Sequence, residues 1–131
     1  MKIELTNQEA ELIMHNALCD SGIGMHGLEI SFDKDEYRKS KDNWVRANEG
    51  KSPCYEDVLM QLLRDGYSIA VIDTEGDGEG DYDSVITMKD VYERMPMVHY
   101  SRLIQMIEEE YDADTTDCVL QTIFYGEVIF G

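Results

Sequence analysis

Proline is nearly absent, with Pro53 and Pro96 the whole complement, and no apolar run approaches the ~18 residues that cross a bilayer. With 43% apolar residues, this excludes a collagen-like chain, a proline-rich linker and a wholly disordered polymer. The start, Met1-Lys2-Ile3-Glu4-Leu5, lacks the basic-then-apolar shape of a secretion signal. A soluble, cytoplasmic protein is the expectation. Cysteine is sparse: Cys19, Cys54 and Cys118 are odd in number, far apart and without a CxxC pair, which excludes a disulfide scaffold. Each lies within an apolar stretch and reads as a small buried hydrophobe. Basic residues are few, 11 against 28 acidic ones, for a net charge of −17 on 131 residues. That field repels phosphate and anionic lipid, so neither nucleic acid nor membrane is an expected direct partner. No GxGxxG, P-loop, GxSxG or HExxH motif occurs.

What is present is a folding pattern for one domain over residues 1–131. Thr6-Asn7-Gln8-Glu9 is a capping box ahead of Ala10, Ile13, Met14, Ala17 and Leu18, the inner face of a first helix. Residues 27–32 alternate with period two and place Leu28, Ile30 and Phe32 on one side of a strand. The polar stretch after Asp33 predicts a helix with Tyr37, Trp44, Val45 and Ala47 along one side. Ser52 as N-cap with Pro53 at the first helical position opens a helix carrying Tyr55, Val58, Leu59, Leu62 and Leu63, closed by Gly66. Residues 67–72 and 84–88 read as an antiparallel strand pair, because no crossover helix joins them. Thr87 caps a short helix that Pro96 stops. Another helix carries Tyr100, Leu103, Ile104 and Ile107, and a last one begins at Asp114 or Thr115. Residues 127–130 read as a terminal strand that pairs with the sheet. The predicted class is α+β: a small, mainly antiparallel sheet packed against several helices in two layers.

Four places could carry chemistry. Residues 73–83 hold six carboxylates and three glycines with no base, the hard-oxygen chemistry of a calcium site, with Asp73, Glu75, Asp77 and Asp81 as ligands. The bidentate glutamate of an EF-hand is missing, since Ser84 stands at its position, so a solvated hairpin loop competes with this reading. His15 and Cys19 share a helix face at i, i+4 and form half a zinc site, with His26 beyond a turn, against a bland alternative of a half-buried helix end and an exposed loop histidine. Cys54 at a helix start could pair with His15, His26 or His99 for thiol chemistry, but the neighbouring Glu56 and Asp57 disfavour a thiolate. With 28 acids a carboxylate pair carries no information, and Glu56, Asp57 and Asp65 read as a solvated helix face.

Charge is unevenly spread. Residues 73–83 and 108–117 hold twelve of the acids and no base, whereas residues 34–51 hold six of the bases: Lys34, Arg38, Lys39, Lys41, Arg46 and Lys51. If the two acidic segments converge in space, Asp77, Glu79, Asp81, Asp83, Glu108, Glu109, Glu110 and Asp112 would meet a basic protein surface, as acidic nucleic-acid mimics do.

The stretch Pro53-Cys54-Tyr55-Glu56-Asp57-Val58 and the ending Tyr125-Gly126-Glu127-Val128-Ile129-Phe130-Gly131 resemble small acidic open reading frames of phages and mobile elements of gut bacteria. The resemblance runs along most of the chain. It implies no catalytic residue and no cofactor, but many such products bind and inhibit or redirect a host protein. The resulting expectation is a non-enzymatic acidic interaction module, an inhibitor or nucleic-acid mimic, with a calcium-binding domain as the alternative.

Overall fold

The computed structural model describes residues 4–20, 23–74 and 82–130. In chain order the elements are α1 (Asn7–Cys19), a 3₁₀ turn (Ile23–His26), β1 (Leu28–Ser31), α2 (Lys34–Ala47), α3 (Tyr55–Arg64), β2 (Ile69–Asp73), β3 (Ser84–Ile86), α4 (Met88–Arg94), a 3₁₀ turn at Met95–Met97, α5 (Tyr100–Ile107) and α6 (Ala113–Tyr125). The sheet runs β1-β2-β3, antiparallel throughout, with Ile30 opposite Val71 and Ile69 opposite Ile86. This is the α+β arrangement that the pattern predicts. Among the described residues no helix is long and apolar enough to cross a membrane.

Local signals set most element ends. Thr6 accepts from Glu9 N–H while Glu9 accepts from Thr6 N–H, so two otherwise unpaired donors of α1 are satisfied. At the end of α3, Gly66 has φ +87° and its N–H reaches Leu63 O while Tyr67 N–H reaches Leu62 O, a Schellman closure that needs the left-handed residue. The start of α3 differs from expectation: Cys54, not Ser52, is the N-cap, and Pro53 stands outside the helix. Asp57 reaches back to Cys54 N–H, and that carboxylate cap moves the boundary. For the same reason α6 starts earlier than expected, because the Asp112 carboxylate accepts from Thr115 N–H.

Helix α6 is the centre of the molecule. It packs on α1, α4, α5 and β3, and from Thr115 to Phe124 every residue except the half-buried Cys118 is buried. Its apolar contribution, Val119, Leu120, Ile123 and Phe124, meets Met14, Leu59, Leu62, Ile86, Met95 and Leu103 in one core. Apart from Asp117 Oδ1, which has no hydrogen-bond partner among the described residues, its buried polar side chains are bonded both within α6 and to other segments. Thr116 donates to Asp20 O, and His26 Nε2 lies 2.9 Å from Asp117 Oδ2, which also accepts from Gln121 Nε2. His26 is therefore a largely buried partner of Asp117, stacked on Phe130 at 4.8 Å, rather than an exposed loop histidine.

Gln121 also explains why residues 127–130 form no strand. Its Oε1 accepts from both Ile129 N–H and Phe130 N–H at 2.8 Å, so a side chain supplies the bonds that a sheet edge would have given.

Helix α2 docks on α3 largely through polar contacts. Tyr37, Trp44 and Val45 are half-buried and Ala47 is exposed, so the expected apolar side is thin; the one buried residue is Ser40. Ser40 Oγ and Asn43 Nδ2 donate to Asp65 Oδ2, and Gln61 Nε2 donates to Asp65 Oδ1. Asp65 is thus the hinge pin of the α2–α3 pair and not part of a solvated face. The cysteines also depart from expectation. Cys19, the last residue of α1, and Cys54, the N-cap of α3, are exposed, and Cys118 within α6 is half-buried.

Candidate functional site

The described members of the two acidic segments do not converge. Asp83 Oδ1 accepts from Asp73 N–H, and both residues lie near enough to Tyr125, at the C-terminal end of α6, to act on its phenol. Burial first, then Asp73, Asp83 and Tyr82, pushes the Tyr125 phenol up to about 12. Asp112 caps the opposite end of the same helix, about 20 Å away for thirteen residues at ~1.5 Å each. Asp77, Glu79 and Asp81 lie outside the described residues, as does Glu75, so of the four calcium ligands only Asp73 is described, at the end of β2. In the second segment the fold already employs half the acids: Asp112 caps α6, Asp114 pairs with Arg102 at 2.8 Å, and Asp117 holds His26. Glu108, Glu109 and Glu110 are exposed, where α5 ends and Glu109 turns the chain with φ +57°.

Glu109 borders an apolar face that sequence reasoning misread. On α5, Leu103 and Met106 are buried, but Tyr100, Ile104 and Ile107 are 41%, 37% and 48% exposed. At ~100° per residue the two groups centre roughly 100° apart on the helix, so what reads as one stripe is two. Across from Ile107, α1 presents Leu12, 59% exposed. Between them runs a shallow groove of about 80 Å³ lined by Glu9, Leu12, Ile13, Asn16, Met106, Ile107 and Glu109. This lining has two carboxylates and no base. Leu12 forms a ridge, since its other side borders a wider hollow of about 500 Å³ with Gln8, Glu11, His15 and Arg64. Glu11 is fixed there by Arg64 Nε at 2.7 Å and the Tyr92 hydroxyl at 2.9 Å.

A second constellation lies where α1 meets the start of α3. His15 Nε2 sits 2.9 Å from Asp57 Oδ1, and His15 Nδ1 sits 3.7 Å from Cys19 Sγ. The Cys54 thiol belongs to the same group: one ligand atom each from His15, Cys54 and Asp57 lie within 4.8 Å of one another. Asp57 is therefore not part of a solvated face either. Burial is the largest single influence on its carboxyl and opposes ionisation, but hydrogen bonds from the Cys54 thiol and N–H and from His15 together hold it below the ordinary 3.8. Both thiols are held protonated. Burial, then Glu56, Cys54, Asp57 and Asp20, pushes Cys19 up to about 11, and Cys54 is raised by burial and by hydrogen bonds to Asp57 and Glu56. Of the three histidines considered beside Cys54, only His15 is in this group; His26 is engaged by Asp117, and His99 caps α5 by accepting from Ser101 N–H.

The chain matches no known family, curated protein or solved structure.

Proposed function

We propose that this protein is a binding module whose α1–α5 face seats a basic, amphipathic segment of a partner protein. The observation that carries the reading is the row Tyr100, Ile104 and Ile107, exposed at i, i+4 and i+7, with Leu12 across from Ile107, Glu9 and Glu109 lining the groove, and exposed Glu108 and Glu110 beside Glu109 in sequence. Isolated exposed apolar side chains need no explanation, but a contiguous apolar row rimmed by charges of one sign is what a helix-in-groove contact requires. The apolar row supplies burial, and the glutamates supply approach speed and select a basic partner. The expected basic protein partner is retained, but recognition is assigned to one acidic segment with an apolar floor rather than to two converging acidic segments.

The test is titration with a synthetic amphipathic leucine–lysine peptide. Ile104→Ser with Ile107→Ser removes about 2 kcal/mol of burial and weakens binding about thirty-fold. Glu109→Lys also weakens it, whereas Asp42→Lys, the same charge change on the outer face of α2, does not. Because any chain of charge −17 attracts cations, equal losses from Glu109→Lys and Asp42→Lys would reduce the effect to bulk charge and refute the site.

A further inference from the structure

We propose that His15, Cys54 and Asp57 form a binding site for a zinc-class divalent metal ion, with Cys19 orienting the histidine ring. The donor set is one imidazole, one thiol and one carboxylate, the mixture that borderline ions such as zinc take, and hard ions such as calcium do not. Three protein ligands leave the fourth tetrahedral position to water.

The geometry needs little rearrangement. Bond lengths of ~2.0–2.3 Å place tetrahedral ligand atoms about 3.3–3.6 Å apart. The three ligand atoms already lie within 4.8 Å of one another, so closure takes side-chain shifts of roughly an ångström. Asp57 is pre-oriented, because its Oδ2 is tied to Cys54 N–H at 3.1 Å while Oδ1 faces His15 Nε2. Coordination through Nε2 leaves the remaining imidazole proton on Nδ1, which donates to Cys19 Sγ at 3.7 Å, the outer-shell contact that fixes a metal-bound ring. On binding, Cys54 gives its thiol proton to solvent and ligates as thiolate.

The surroundings also call for a cation. Glu56, Asp57 and Asp20 lie close enough to act on the Cys19 thiol, and Asp57 and Glu56 on that of Cys54, so carboxylates gather at the group. Phe32, Tyr37 and Tyr55 pack together near Cys54 with ring centres 4.8–6.3 Å apart. His15 borders the 500 Å³ hollow, which gives an ion a route from solvent.

The experiment uses the full, reduced chain with cobalt(II) and then zinc alone. The expected result is one equivalent of cobalt with a thiolate-to-metal charge-transfer band, displaced by one equivalent of zinc. Cys54→Ser abolishes the band yet keeps α3, since serine is the better N-cap. His15→Gln lowers affinity at least tenfold, and Cys118→Ser changes nothing. Cys19→Ser keeps the band and lowers affinity about tenfold, the signature of a positioning residue. No band, or a band that survives Cys54→Ser or is unmoved by His15→Gln, overturns the site. The residues differ from those of the α5 row, so this result and the peptide titration succeed or fail separately.

Discussion

Replacing Asp65 by alanine should cost about 2–4 kcal/mol, because one carboxylate holds α2 against α3. The variant leaves Ser40 Oγ, in a residue with no exposed surface, without its acceptor at 2.8 Å, a penalty of about 1–3 kcal/mol. Asn43 and Gln61 lose bonds of 3.0 and 2.8 Å but are only half-buried and can turn to water, so each adds about 0.5 kcal/mol. For 131 residues, that total lowers the melting temperature by about 6–16 °C. The loss should also depend on pH. Burial opposes ionisation of Asp65, but Asn43, Ser40, Gln61 and Arg64 together hold its carboxyl below 3.8. A folded-state value below the unfolded one means that the ionised form favours folding. The contribution is therefore complete above pH ~4 and disappears as pH falls through the folded value. Wild type and Asp65→Ala should thus be well separated in thermal melts at pH 7, with a gap that narrows in acid. A shift under about 2 °C at neutral pH, or a gap that stays constant down to pH ~2, would refute the hinge-pin role.

Three further outcomes follow from the same packing. Gln121→Met should cost about 2 kcal/mol and release the last residues, seen as faster hydrogen exchange at the Ile129 and Phe130 amides; unchanged exchange there would contradict the side-chain anchor. Arg94→Ala should cost about 1–2 kcal/mol, because α6 has no base in its last turn and Arg94 of α4 donates to Ile123 O at 2.7 Å instead; a neutral result in chemical denaturation would remove that cap. Leu12→Ser and Ile107→Ser should each leave stability within about 0.5 kcal/mol, since neither side chain is core, and a larger loss would make the exposed row a folding element.

What the sequence makes legible, and what it hides, has physical causes. Capping boxes and closing glycines are local, so Thr6, Glu9 and Gly66 can be read directly, as can the period-two run of β1. Long-range polar bonds leave no periodic trace. Nothing near Gln121 signals that it will hold the chain eight and nine residues on, nor does Asp65 announce partners 22 and 25 residues earlier. The candidate sites follow the same divide. His15 and Cys19 at i, i+4 are visible on one helix, but Asp57 stands 42 residues away and joins them only because α1 packs on α3. The exposed row of α5 was hidden by its buried neighbours, since Leu103 and Met106 interleave with it and merge the two faces into one apparent stripe.

The central claim is that binding is localised on the α1–α5 face, and amide chemical-shift mapping of the labelled chain with the leucine–lysine peptide tests it most directly. Perturbations should cluster in residues 8–16 and 100–110 and vanish in the Ile104→Ser, Ile107→Ser chain. Shifts centred on α2 or β3, or spread evenly over acidic residues all round the molecule, would contradict it.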